Sequence, residues 1–298
     1  MQEHIPVLQQ EVIKTLAPHP NENFIDATLG FGGHAKLILK KTAPYGRLLG
    51  IDQDSVALEE AKKRLSDFGE RFQFYHGNFK DLGLVIRDWQ VKKVDGILFD
   101  LGVSTYQLLT PKRGFSFNQE GPLDMRMNPD SQRLKASDIV NKFSEKELSR
   151  ILFELGEERY AKKIAAKIVE ERLQNPITST NQLVEIVKSA TPPDYRFNRE
   201  QHASRHFATS TFRALRMAVN DELGSLRQVL PQAVQILSPG GRIAVLTFHS
   251  LEDRIVKNFF KERNDLEIIN PKPIIAKDLE IKDNPKSRSA KLRGARKI

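Results

Sequence analysis

Three acids in the first hundred residues each close a short apolar run: Asp26, Asp52 and Asp100. The first opens a glycine loop, Asp26-Ala-Thr-Leu-Gly-Phe-Gly-Gly-His34. Glycines at 30, 32 and 33 permit a tight strand-to-helix turn and let a ligand approach the backbone closely. The helix expected from Ala35 would present open N–H groups at its start. An acid ending the second strand can accept hydrogen bonds from both hydroxyls of a ribose, roughly 1.5–3 kcal/mol each. Asn78 and Phe79, after the third run, place an aromatic ring where it could flank an adenine. Two adenosine cofactors fit this set. Gly30-Phe-Gly32-Gly33-His34-Ala35 matches the dinucleotide fingerprint, with Asp52 at a suitable distance. An acid at the loop entrance suits a positive amino group and disfavours a pyrophosphate, so Asp26 tilts the reading from NAD to S-adenosylmethionine. From the residues alone both remain open, as a methyltransferase or a dehydrogenase.

The elements that carry these residues alternate. Phe24-Ile25, Leu48 to Asp52, Phe72 to His76 and Gly96 to Asp100 read as strands, with amphipathic helices between them. Asp54 or Ser55 can cap a helix with Ala57, Leu58, Ala61 and Leu65 on its apolar face. Continuous apolar strands between helices imply a doubly wound, parallel α/β sheet covered on both faces. Ligands of such sheets bind at the carboxyl ends of the strands, where all three acids fall. The pattern stops after Asp100. Residues 108–204 show helix signals and no strand, with capping boxes at Ser144/Glu147 and Ser179/Gln182, and read as an inserted helical domain. A long helix from Phe212 to Leu230, ended or kinked at Pro231, then returns to the sheet through Ile243 to Phe248 and Leu266 to Ile269. The expected division is 1–107 with 205–298 for the sheet domain and 108–204 for the insertion.

Composition narrows the classes. The chain has 298 residues, 29% of them charged, and no cysteine. Disulfides, thiolate metal sites and iron–sulfur clusters are excluded, and no metal site is expected. No apolar run approaches the ~20 residues of a membrane helix, and no secretory signal is visible near Met1, so a cytoplasmic protein is expected. The net charge is +9, and residues 284–298 carry six basic residues and no acid. Such a tail favours a polyanion such as nucleic acid, or is a solvated end.

Ordered blocks from end to end give the chain a resemblance. They include His4-Ile-Pro-Val7, the Asp26–His34 loop, Gly50-Ile-Asp52-Gln-Asp54 and Asp100-Leu-Gly-Val-Ser104. Further on come Arg113-Gly-Phe-Ser-Phe117, Pro122-Leu-Asp-Met-Arg-Met127, Val219-Asn-Asp-Glu-Leu223, Phe248-His-Ser-Leu-Glu-Asp-Arg254 and Ser287-Arg-Ser-Ala-Lys-Leu-Arg293. With these the chain resembles the bacterial ribosomal RNA small-subunit methyltransferase H family, also called MraW. The resemblance implies a Rossmann-like class I methyltransferase fold with a helical insertion. It implies S-adenosyl-L-methionine as cofactor and the exocyclic N4 of a cytidine in the decoding region of 16S rRNA as methyl acceptor. It places Gly32, Gly33, His34, Asp52, Phe79, Asp100 and Gln107 around the cofactor. The expected partner is 16S rRNA, carried in a small-subunit particle, and the oligomeric state is left open, a homodimer included.

The chemistry is compatible with the residues present. Methylating a pyrimidine at C5 needs a thiolate, which this chain lacks, so an exocyclic amine or a ribose oxygen remains. Asp100 is expected to position the target amine, the cofactor, or both. His249 could accept a proton, with a capping bond as the plainer role. Phe115 and Arg126, beside Arg113 and Phe117, are the expected RNA contacts, through stacking and charge, with anchoring of the loop in the core as the alternative for the rings. Arg205, Arg213 and Arg216 are weaker candidates. A non-enzymatic RNA-binding protein on the same fold is the third reading.

Overall fold

The structure is a computed structural model and describes residues 6–197 and 206–298. It forms two compact units, one of Met1–Gly102 with Leu223–Ile298 and one of Val103–Glu222. The boundaries differ from those expected, 107/108 and 204/205. The helix after residue 208 belongs with the helical unit, because its apolar side packs there.

The first unit is an eight-stranded sheet. Its strands are β1 (Phe24–Asp26), β2 (Leu48–Asp52), β3 (Phe72–His76), β4 (Val94–Asp100), β5 (Leu237–Thr247), β6 (Leu266–Ile268), β7 (Ile274–Ile275) and β8 (Lys291–Lys297). The order is β3-β2-β1-β4-β5-β8-β6, with β7 also on β8. β3 through β5 are mutually parallel, and β8 runs antiparallel to β5, β6 and β7. This is the doubly wound α/β architecture the strand pattern implies.

Alternation along the strands sends neighbouring side chains to opposite faces. Ile97, Phe99, Ile243 and Val245 meet one face cluster, with Leu82, Val85, Leu230 and Val256. Leu98, Ala244 and Leu246 meet the other, with Val12, Ile38 and Leu58. The first face is covered by α4 (Leu82–Asp88), α12 (Glu222–Ile236) and α13 (Ser250–Glu262), the second by α1 (Gln9–Leu16), α2 (Gly33–Lys41) and α3 (Ser55–Leu65). Asp54 caps α3, its carboxylate accepting the Val56 amide at 3.1 Å. Among the described residues, no helix is long and apolar enough to cross a membrane.

The second unit is helical: α5 (Thr105–Leu109), α6 (Ala136–Lys142), α7 (Glu145–Glu154), α8 (Ala161–Arg172), α9 (Thr180–Ala190), α10 (Pro193–Phe197) and α11 (Thr209–Asn220). Both expected capping boxes form, Ser144 with Glu147 and Ser179 with Gln182. Its core gathers Leu148, Leu152, Ile164, Ile168, Leu183 and Phe212.

Three expectations of local structure are corrected. The long helix breaks at Asp221, which sits in the left-handed region at φ 45° between α11 and α12. Aspartate tolerates that conformation better than most residues, and apolar spacing gives no sign of it. Pro231 lies inside α12 without ending it. A proline there costs about 3 kcal/mol, offset by burial of Leu226, Val229 and Leu230, at about 1.5–3 kcal/mol for each large side chain. β5 begins at Leu237 rather than Ile243, crossing Pro239-Gly240-Gly241 beside an irregular register with β4. The third correction is the basic tail. It is the strand β8 and its lead-in, with Leu292, Arg293, Gly294 and Ala295 all buried.

Candidate functional site

The glycine loop is held between two strand ends. The Ala27 amide donates to Leu98 of β4, the Leu29 amide to Ile51 of β2, and the Asp100 amide to the Thr28 hydroxyl. Gly30 and Gly32 have φ of 52° and 74°, a region a side chain disfavours by roughly 1–2 kcal/mol. At Gly33 an added Cβ would lie 2.5 Å from Pro6 Cγ. The loop is therefore glycine-rich for turn geometry and for close packing, both needed before any ligand arrives. α2 starts at Gly33 with Gly32 as a cap that has no side chain. A glycine cap offers the first amides of α2 no side-chain acceptor.

Asp52, at the tip of β2, braces the loop. Its Oδ2 accepts the Gly30 amide at 2.7 Å and its Oδ1 the Asp54 amide at 2.9 Å. Asn78 caps the turn that follows β3, accepting the Lys80 amide at 2.9 Å. Phe79 follows, half-buried, its ring edge-on to Phe99 with centroids 5.9 Å apart. Asp100, at the tip of β4, lies with its Oδ2 3.7 Å from His34 Nε2. His34 is buried, while 23% of the Asp100 side chain stays open. Asp100 Oδ1 has no hydrogen-bond partner among the described residues.

The electrostatics of this end of the sheet are unusual. Burial pushes the Asp26 carboxyl up to about 8, against the Thr28 amide it accepts, with the Asp100 and Asp52 charges adding to the rise. Burial raises Asp52 to about 6, opposed by the amides of Asp54 and Gly30. Burial raises Asp100 to about 7, opposed by the charge of Lys286 and aided by that of Glu252. Three carboxyls crowded where burial destabilises their charge call for a cation. The donor set suits a ligand with a ribose and positive groups, and disfavours a pyrophosphate.

The structure thus brings Gly32, Gly33, His34, Asp52, Phe79 and Asp100 together at the carboxyl ends of β1 to β4. Gln107 lies in the helical unit, buried, its Oε1 accepting the Ser104 amide at 3.0 Å in the capping box of α5. Its cofactor role rests on the resemblance alone. His249 takes the plainer of its two roles. It caps α13, accepting the Glu252 amide at its Nδ1, and its Nε2 lies 3.2 Å from Glu252 Oε1.

The expected RNA contacts lie in the helical unit, where they have partners of their own. Phe115 is in the core of the helical unit. Arg126 makes a two-pronged pair with Asp124, both contacts at 2.7 Å, and donates to the carbonyls of Pro129 and Gln132. Arg113 donates to the carbonyls of Arg126 and Met127, and Asn220 ties Met125 and Met127 to the end of α11. These residues knit a strandless loop that must satisfy its own backbone. Phe117 packs on His206 and Phe212. Arg213 donates to Gly156, and Arg216 pairs with Glu222 at 2.8 Å. Arg205 lies outside the described residues.

The tail's charges are also largely committed. Arg293 pairs with Asp253 at 2.6 Å and Lys291 with the same carboxylate at 3.2 Å. Arg296 pairs with Glu267, and Lys297 donates to Leu237. Lys286, which the sequence reading counted only as tail charge, is the one that reaches the electrostatics of Asp100. A seven-residue strand rich in Lys and Arg carries no apolar alternation to announce it.

The chain is similar in sequence to several named proteins. The chain is 47% identical to a protein named ribosomal RNA small subunit methyltransferase H from Heliobacterium mobile, over 99% of each chain. It is 48% identical to the protein of that name from Geobacter sulfurreducens, again over 99% of each. A third, from Kosmotoga olearia, is 47% identical over 99% of this chain and 97% of its own. The model of the MraW methylase family matches residues 1–298. With its acids and glycines in place at the strand ends, the chain belongs to the MraW methylase family.

Proposed function

We propose that this chain is an S-adenosylmethionine-dependent methyltransferase acting on small-subunit ribosomal RNA, and that it methylates the exocyclic N4 of a cytidine in the decoding region of 16S rRNA, presented in a small-subunit particle. The observation that carries the cofactor is the convergence of Asp26, Asp52 and Asp100 on a glycine loop. The names of the relatives support the rRNA.

When bound, the cofactor supplies a methyl group already activated on a sulfonium. The protein's own residues then have modest tasks. Asp52, braced by two amides, accepts the ribose hydroxyls. Gly32 and Gly33 admit the ligand to the backbone at the start of α2. Asp26 faces the positive amino group, and Phe79 flanks the adenine. Asp100, whose side chain is partly open, faces the target amine, orients it, and holds the proton that leaves as the new N–C bond forms. Proximity and orientation supply most of the rate gain with an activated electrophile. The absence of cysteine supports an amine acceptor over pyrimidine C5.

The test is transfer of labelled methyl from S-adenosylmethionine to purified small subunits by the purified protein, with nucleoside mass spectrometry of the product. N4-methylated cytidine is the expected product. Label at a pyrimidine carbon or a ribose oxygen would refute the acceptor, and no transfer with clear NAD binding would favour the dehydrogenase.

A further inference from the structure

With the tail's cations largely committed to the sheet, a polyanion needs positive charge from elsewhere. In the helical unit Lys142, Lys167 and Lys188 are committed too, each to an acid three or four residues away. Arg159, Lys162 and Lys163 differ. All three are exposed, and none has an acid within ion-pairing distance among the described residues. Two of them share one ring. Arg159 Cζ lies 5.4 Å and Lys163 Nζ 5.8 Å from the centroid of Tyr160. That ring is itself fixed. It meets Tyr195 edge-on at 4.8 Å, the Tyr195 hydroxyl donates to both oxygens of Glu158, and the Tyr160 amide donates to Glu158 Oε1 at 2.9 Å. Glu158 is buried, so this acid turns inward, away from the exposed cations. A cation held over a ring keeps its N–H donors for another partner.

The placement does not serve the helix. Lys162 and Lys163 occupy the first turn of α8, which has no acid and no side-chain cap. Positive charge there opposes the helix dipole, whereas the preceding α7 opens with Glu145 and Glu147. Cations kept where the chain gains nothing from them suit an external anion. We propose that Arg159, Lys162 and Lys163 form a phosphate-binding site for the backbone of the substrate RNA, with Tyr160 as the ring that fixes two of them. This rests on the ribosomal RNA reading above. Phosphate contacts hold a nucleic acid without reading its sequence, so the site sets affinity for the RNA and not the choice of methylated base.

The experiment is methyl transfer to purified small subunits over a series of salt concentrations, by the full chain and by a variant combining Arg159→Ala, Lys162→Ala and Lys163→Ala. Each phosphate contact contributes about 0.7–0.9 to the slope of log affinity against log salt. The triple variant should raise KM about tenfold or more at low salt, flatten its salt dependence by roughly two units and leave kcat unchanged. Lys167→Ala removes an ion-paired cation from the same helix and should leave the slope where it is. Lys162→Glu with Lys163→Glu should raise KM while melting no lower than the wild type, which separates RNA contact from loss of folding. An unchanged KM and slope in the triple variant would overturn the assignment, as would an equal change of slope in Lys167→Ala. A raised KM with an unchanged slope would mean contact with a protein of the particle and overturn it as well. Failure of the wild-type chain to methylate the subunits would overturn the ribosomal RNA reading itself, and this assignment with it.

Discussion

His34 Nε2 lies 3.7 Å from Asp100 Oδ2. The first turn of α2 and the last residue of β4 are thus in direct electrostatic contact, although 66 positions separate them in the chain. Asp100 Oδ2 is the oxygen near the imidazole, and Oδ1 is buried without a hydrogen-bond partner among the described residues. That arrangement gives Asp100 a defined orientation before substrate arrives.

Asp100→Ala is therefore expected to lower the rate of methyl transfer by about 10²–10⁴-fold, the range of a positioned acid–base group. Its affinity for S-adenosylhomocysteine should fall far less. Asp100→Asn, which can still orient an amine through its carbonyl oxygen, should lie between. Single-turnover kinetics beside calorimetry separate the two effects. Equal losses in binding and rate would assign Asp100 to the cofactor only.

The buried acids give the ligand-free protein a pH signature. Their folded-state values, about 8, 6 and 7 for Asp26, Asp52 and Asp100, exceed the ordinary value of 3.8. Between about pH 4 and pH 8 the folded chain holds more protons than the unfolded one, so their contribution to stability falls as pH rises. It is fully present below about pH 4 and lost as pH passes through 6, 7 and 8. Thermal melting from pH 5 to 8.5 should show this decline, and Asp26→Asn should flatten its upper part. A bound cation reverses the preference, so cofactor binding near pH 7 should release protons. Calorimetry in buffers of different ionisation enthalpy reads that release directly. A flat melting profile with no proton release would contradict the account.

Gly33→Ala should damage the loop through a single contact, since its Cβ would lie 2.5 Å from Pro6 Cγ. Overpacking of this size costs about 1–3 kcal/mol. The double variant Pro6→Ala with Gly33→Ala removes the colliding ring atom and should recover most of the melting temperature and cofactor affinity. No recovery would mean that the glycine serves the ligand itself rather than the chain that packs on it.

What the sequence showed follows from what repeats in it. β1 to β4 and their tip acids were legible because fully buried parallel strands are continuous apolar runs, and Asp26, Asp52 and Asp100 interrupt them. The capping boxes of α7 and α9 were legible because capping uses few residue types at fixed spacing. Asp221 was not, since one left-handed residue leaves the three-and-four spacing of Leu215, Val219, Leu223 and Leu226 intact. β8 was hidden by charge, as its Arg293 is neutralised by Asp253 from a helix forty residues away. Phe115 and Arg126 were read as RNA contacts from residue type. The fold adds that Phe115 packs in the helical core and that Arg126 pairs with Asp124.

Deleting residues 284–298 should therefore unfold the sheet unit rather than trim its RNA affinity. Arg293→Ala alone leaves the Asp253 carboxylate without its closest partner and should cost about 3 kcal/mol or more. Chemical denaturation checks this. A stable truncated chain with only a shallower salt dependence of RNA binding would restore the solvated-tail reading.

The most direct measurement of the central claim is nucleoside mass spectrometry of 16S rRNA from cells with and without this protein. The account predicts that an N4-methylated cytidine in the decoding region is lost without the protein and returns with the wild-type chain, but not with Asp100→Ala. An unchanged N4-methylcytidine signal at every position would contradict it.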